Sequence, residues 1–101
     1  MKHEICKIAD IPETGSMIAP LFGREVHVFR SGGRIRAVAN TCTHFGGPLE
    51  CRDGKFVCQW HGASFAMASG ERLSGPAPAN SRLMFLSTQV EGDALNYVWD
   101  E

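Results

Sequence analysis

Two short motifs, each pairing a thiol with an imidazole, are the part of this chain whose residue types and spacing can do chemistry: Cys42-Thr43-His44 and Cys58-Gln59-Trp60-His61. Each pair is compact enough to be offered by one turn. Thiolate sulfur with neutral imidazole nitrogen suits iron or zinc and does not suit calcium or magnesium. The first expectation is therefore a metal centre held by Cys42, His44, Cys58 and His61. Thirteen residues separate His44 from Cys58, and Cys51 lies among them. Cys51 is expected to be a loop thiol unrelated to the metal and not a spare ligand.

Two hairpin arms must present these motifs. Residues Glu25 to Arg30 alternate around Val26 and Val28, Ser31-Gly32-Gly33 makes a tight connection, and Ile35 to Ala39 alternate again with Arg36 facing away from Ile35 and Ala37. His27 falls on the face opposite Val26 and Val28, which predicts a surface or half-buried structural histidine. The second strand runs through Asn40-Thr41 into Cys42, so the first pair sits at a strand end, on a loop opened by Phe45-Gly46-Gly47-Pro48. Glycines there let backbone approach a metal closely. Asp53-Gly54 is a hairpin-turn signal, and Lys55-Phe56-Val57 is a short strand that delivers Cys58 and His61 in the same manner.

Past the second motif, Gly62 to Phe65 reads as a return strand, Ala68 to Glu71 as a turn, and Gly75-Pro76-Ala77-Pro78 as a stiff loop able to cover something. Lys2 to Ile8 is strand-like and is followed by turn formers from Asp10 to Gly15. Leu83 to Val90 and Ala94 to Trp99 read as closing strands around Glu91-Gly92-Asp93, with Leu95, Tyr97 and Trp99 on one core-facing side. Cys6 is expected to be a small buried hydrophobe and His3 to be solvated. No window keeps a 3.6-residue period beyond two turns, so the expected fold class is all-β.

At 101 residues the chain is expected to be a single domain, 1–101, with one modest core. Ten Lys plus Arg against eleven Asp plus Glu leave a net charge of −1, which argues against a nucleic-acid footprint and against a polybasic membrane face. The first residues, Met-Lys-His-Glu-Ile-Cys-Lys, lack the apolar run of a secretory signal. Nor does any stretch approach the roughly 20 apolar residues that span a bilayer. The expectation is a soluble, cytoplasmic monomer. In a reducing compartment its cysteines serve as ligands and buried thiols, not disulfides.

Cys-x-His followed by Cys-x-x-His resembles the two binding boxes of Rieske iron-sulfur proteins. Gly46-Gly47-Pro48-Leu49 after the first box, His61-Gly62 after the second and Gly75-Pro76-Ala77-Pro78 as covering loop are similar to that family's surroundings. Asp10-Ile11-Pro12 and Val90-Glu91-Gly92-Asp93 are similar to its flanking strands, so the likeness runs through nearly the whole chain. It implies an antiparallel β-sandwich with a small cluster-binding subdomain of two loops, at about 41–66, and one Rieske-type 2Fe-2S cluster. Cys42 and Cys58 would then hold one iron, and His44 and His61 the other. The competing reading is a structural zinc site. Zinc fingers usually pair Cys with Cys and His with His, whereas each loop here supplies one of each kind.

Two ferric ions, two sulfides and two thiolates sum to a neutral oxidised core, less negative than an all-thiolate one, which is why histidine ligation raises the potential. High-potential members of the family join the two loops by a disulfide and stabilise the reduced cluster with a serine and a tyrosine hydroxyl. The matching positions here are Gly47 and Trp60, and Ala63 and Phe65, none of which can do either. The link between the boxes is also shorter than is usual in Rieske ferredoxins, which bears on partner docking more than on ligation. Rieske oxygenases carry a mononuclear iron triad of two histidines and a carboxylate, and only His3 and His27 are spare here. The resemblance thus implies a Rieske ferredoxin, not itself an enzyme, that carries single electrons from an NAD(P)H-dependent flavin ferredoxin reductase to a terminal oxygenase. The alternative is a small subunit of a larger redox enzyme, such as a nitrite reductase.

The missing hydroxyls and disulfide place the expected midpoint potential at the low end of the Rieske range, about −150 mV. Protein-film voltammetry should find it there, and Ala63→Ser should move it upward; a clearly positive wild-type value would contradict this reading.

Overall fold

The computed structural model describes residues 1–41, 47–60, 62–75 and 80–99. In chain order its strands are β1 (Lys2–Lys7), β2 (Ser16–Leu21), β3 (Arg24–Ser31), β4 (Arg34–Ala39), β5 (Leu49–Arg52), β6 (Lys55–Cys58), β7 (Ser64–Ala66), β8 (Arg72–Ser74), β9 (Thr88–Glu91) and β10 (Ala94–Val98). They form three antiparallel sheets, ordered β1-β10-β9, β2-β3-β4 and β5-β6-β7-β8. The only helical piece among the described residues is a 3₁₀ turn, Ile8–Asp10. The all-β class expected from the sequence is the one observed. No helix among the described residues is long and apolar enough to cross a membrane.

The middle sheet is covered on both faces. Side chains alternate along β3 with a period of two. Val26 and Val28 enter one core, with Ala37, Ile5, Leu21 and Leu95, beneath the β1-β10-β9 sheet. Phe29 enters a second core, with Val38, Leu49, Phe56, Cys58 and Phe65, beneath the β5–β8 sheet. Four consecutive residues of β3, Val26 to Phe29, are consequently buried. This corrects the expectation for His27, which lies on the anticipated face but is only 3% exposed, because that face is covered as completely as the other.

The hairpin predicted from Glu25 to Ala39 is present as β3 and β4, paired from Val26↔Ala39 to Ser31↔Arg34. Arg36 does face away from Ile35 and Ala37; its guanidinium lies 4.0 Å from the centre of the Phe85 ring and donates to the Ala68 carbonyl at 2.9 Å. The turn at Asp53-Gly54 also forms, with both residues at positive φ (52° and 77°), as a two-residue hairpin turn between β5 and β6 requires. β2 was not foreseen, because Pro20 interrupts its pattern. It is an edge strand, where a missing N–H costs no ladder bond.

Leu83 to Val90 was expected as one strand, yet only Thr88–Glu91 is regular. The preceding residues run along a seam between sheets: the Leu83 N–H donates to Gly70 O, Ala39 N–H to Met84 O, Leu86 N–H to Ala37 O and Val98 N–H to Ser87 O. Their backbone groups are satisfied by three different neighbours, so no continuous ladder develops. Leu95, Tyr97 and Trp99 do share a side. Leu95 is core, but Tyr97 and Trp99 are half-buried and stack at 5.1 Å, with the exposed Phe22 edge-on to both. His3 is exposed, as expected, and lies 4.7 Å from the Phe22 ring.

Phe56 joins the middle sheet to the third one, with its ring 5.3 Å from Phe29 and 4.9 Å from His27. Phe56→Ala should lower stability by about 3–5 kcal/mol, read as a fall in the urea midpoint with little change in slope.

Candidate metal centre

Of the residues singled out from the sequence, Cys58 lies within the described part of the structure, while Cys42, His44 and His61 lie outside it. What the structure describes is the frame on either side of each box. Cys58 ends β6 and is paired with Leu49, the first residue of β5, which places it where the two ligand loops begin and end. Its side chain is 1% exposed and belongs to the core formed with Leu49, Phe56, Ala63 and Phe65.

The second loop is short and closed. The Cys58 N–H donates to Ala63 O at 2.8 Å, and Cys58 O accepts from Gly62 N–H at 2.9 Å, so the residues that carry His61 leave and rejoin the β6–β7 ladder at one point. A third bond joins the loops, from Gln59 N–H to Pro48 O at 2.9 Å.

Gly47 shows how closely the loops meet. A Cβ at this position would lie 2.8 Å from the Cys58 Sγ and 2.8 Å from the Trp60 indole. Its φ is not in the left-handed region, so glycine is needed there for space and not for backbone freedom. Trp60 is 67% exposed, with the root of its indole against Gly47. The same crowding recurs at Gly75, at the start of the anticipated covering loop, where a Cβ would lie 2.4 Å from the Ala63 Cα. Pro76 to Pro78 lie outside the described residues.

The other thiols have separate roles. Cys51 is half-buried in β5 and its Sγ donates to the Met67 Sδ at 3.6 Å. Burial pushes its pKa up, a hydrogen bond with Ser16 opposing. Cys6 is half-buried against the first core, and burial also raises its pKa, with Asp10 and Glu4 adding to the effect. In both, burial disfavours the thiolate, the form in which cysteine binds a metal. Among the described residues no three of His, Cys, Asp and Glu gather closely enough to hold a metal ion.

Sequence reasoning gave His27 only a structural place at or near the surface and gave Asn40 no role. The His27 ring makes three hydrogen bonds: Nδ1 to Ser16 Oγ (2.8 Å), Nε2 to Asn40 Oδ1 (3.0 Å) and Nε2 to Leu49 O (2.9 Å). The available signal was Phe29, a large aromatic on the same face of β3, which marks that face as covered.

Gly47→Ala should purify with less than one full complement of iron per chain, and Gly47→Ala/Trp60→Ala, which removes the indole contacts but not the sulfur contact, should recover part of it. Iron content and visible absorbance per chain measure both.

A packed thiol at a strand end, a neighbour that tolerates no side chain, and a tight turn bearing a histidine fit the demands of a sulfur- and imidazole-held cluster. Comparison with known proteins agrees. Residues 1–91 match the family model of the Rieske [2Fe-2S] domain. The cytochrome b6-f complex iron-sulfur subunit of Chlorobaculum thiosulfatiphilum is 32% identical over 91 residues, which are 88% of this chain and 49% of that protein. The chain thus spans about half the length of the curated relatives it matches first (49% and 45%). The plasma membrane Rieske protein PetC3 from Synechocystis PCC 6803 superposes with a TM-score of 0.78 at 34% identity, covering 96% of this chain and 99% of that one. Sphingomonas yanoikuyae B1 ferredoxin shares the fold, with a TM-score of 0.79 at 19% identity over 99% of this chain and 100% of that one. So does a chain in the complex of reduced oxygenase and oxidized ferredoxin in carbazole 1,9a-dioxygenase, at a TM-score of 0.73 and 20% identity, over 95% of this chain and 91% of that one. With the fold, the frame of the site and the match along residues 1–91 in agreement, the chain belongs to the Rieske [2Fe-2S] family, whose members are electron carriers built around a Rieske-type 2Fe-2S cluster.

Proposed function

We propose that Cys42 and Cys58 hold one iron of the cluster and His44 and His61 the other, and that the protein is a low-potential ferredoxin. In this reading it takes single electrons from an NAD(P)H-dependent flavin reductase and delivers them to a terminal oxygenase. Residues 1–101 form one domain, with its cluster-binding part at about 41–66, working as a cytoplasmic monomer that meets each partner transiently. The cluster, when bound, supplies a one-electron couple. The chain supplies its seat: the β5–β6 pairing fixes Cys58, the closed turn from Cys58 to Ala63 carries His61, and Gly47, lacking a side chain, lies beside the Cys58 sulfur.

The observation that carries the low-potential reading is the lining beside the second box. Ala63 and Phe65 are both 0% exposed and offer no hydroxyl, and the Gly47–Trp60 contact stands where high-potential members of the family have a disulfide. Each hydrogen bond to sulfur eases electron uptake, so its loss lowers the potential. The oxygenase as acceptor is supported by the fold shared with the complex of oxygenase and ferredoxin in carbazole 1,9a-dioxygenase.

A second reading makes the chain part of a larger redox assembly. It is favoured by the greater identity to PetC3 and to the cytochrome b6-f iron-sulfur subunit, 34% and 32% against 19% for the ferredoxin. The apolar lining at Ala63 and Phe65 opposes a high-potential version of that reading. Expressed alone and reconstituted, the carrier should elute as a coloured monomer. After dithionite it should show a two-iron EPR signal, and a flavin reductase with NADH should reduce it. A colourless chain with one zinc would end the cluster assignment, and a chain recovered only in a large complex would favour the subunit reading.

A further inference from the structure

His27 is a buried polar residue that the electron-carrier reading does not use. Its position is specific. It sits in β3, the central strand of the middle sheet, and its imidazole reaches across the second core to the backbone of β5. Leu49 O accepts from Nε2 at 2.9 Å, and Asn40 Oδ1 lies 3.0 Å from the same nitrogen. Both partners are acceptors, so the proton is on Nε2, and in the neutral ring Nδ1 accepts from the Ser16 hydroxyl at 2.8 Å. Asn40 is held in turn. Its Oδ1 accepts from Leu49 N–H at 2.8 Å, its Nδ2 donates to Glu25 Oε1 at 3.1 Å, and its backbone N–H donates to Glu25 O at 3.0 Å.

The consequence lies in where Asn40 and Leu49 stand. They are the two ends of the segment that contains Cys42 and His44. His27 and Asn40 together grip the N–H and the C=O of Leu49, so the entry and exit of that segment are tied to each other and to β3. Leu49 is also the residue paired with Cys58. One imidazole therefore sets the root of the first ligand loop relative to the strand that carries a ligand of the second. Its ring further packs on Phe56, two residues before Cys58, with centroids 4.9 Å apart.

We propose that His27 is a positioning residue for the metal centre: through Leu49 and Asn40 it holds the first ligand loop in register with Cys58 and so governs how firmly, and in what geometry, the cluster is kept. This rests on the ligand assignment proposed above. Partners one shell beyond metal ligands commonly affect retention of the metal without touching it. A core histidine that only fills space would affect global stability and leave the cluster's signature alone.

The test uses the full-length reconstituted protein and three variants. His27→Leu keeps apolar volume and removes every bond of the ring, His27→Gln keeps an N–H donor, and Asn40→Ala removes the acceptor for Leu49 N–H. Cluster loss to an iron chelator, followed by visible absorbance, should be on the order of tenfold faster in His27→Leu. That variant should also show altered EPR g-values and a shifted midpoint potential. His27→Gln should return all three readouts toward wild type, and Asn40→Ala should change them in the direction of His27→Leu. A His27→Leu protein with a lower melting temperature but wild-type cluster lifetime, g-values and potential would overturn the proposal. Should His27→Leu fail to fold, Asn40→Ala decides: wild-type readouts in it overturn the proposal, and altered ones support it. A wild-type chain lacking the two-iron signal overturns the ligand assignment, and the inference with it, before any variant is compared.

Discussion

Burying the central strand on both faces is the constraint from which the rest follows. β3 presents Val26 and Val28 to one core and His27 and Phe29 to another, with all four at most 3% exposed. A strand so enclosed needs a sheet above and a sheet below. The β1-β10-β9 sheet supplies one cover and the β5–β8 sheet the other, and the second cover is the sheet that carries the ligand loops. The β5–β8 sheet thus covers one of the protein's two cores and is not an appendage to it. Cys58 itself is a core residue, sharing its surroundings with Phe56 and Phe65.

Enclosure imposes a condition on the single polar side chain in that run. A buried imidazole with an unpaired N–H is costly, so His27 must find partners inside the protein. It finds them at the root of the first loop, in Asn40 and Leu49, and at Ser16 of the edge strand β2. The demand for hydrogen bonds in the core and the demand for a fixed loop are met by the same contacts. Gly47 is a comparable case: absence of a side chain is what lets its backbone lie beside the Cys58 sulfur and the Trp60 indole.

The described surroundings of the second box are apolar. Ala63 and Phe65 are both fully buried in the core that also holds Cys58, and neither carries a hydroxyl. Exposure is concentrated instead on Trp60 and Gln59, at the outer edge of the turn. The β6–β7 turn thus combines an accessible edge with an apolar, shielded interior.

Local pattern alone was sufficient for the all-β class, the β3–β4 hairpin and the turn at Asp53-Gly54. Period-two alternation and turn chemistry are properties of neighbours in the chain. Pattern misled where the outcome depended on distant residues. Pro20 hid β2 because its tolerance depends on being at a sheet edge. Leu83 to Ser87 looks like strand and serves as a seam because its hydrogen-bond partners belong to different sheets. Arg72 to Ser74 and Leu49 to Arg52 are too short to announce themselves, and are ordered by the strands beside them. Most of all, whether His27 faces water or a core depended on a sheet that begins some twenty residues later, at Leu49. The sequence by itself determined the all-β class and the hairpins that flank the candidate ligand motifs. Only the tertiary structure decided that the second face of β3 is buried, and that its histidine therefore reaches the loop that carries the first pair.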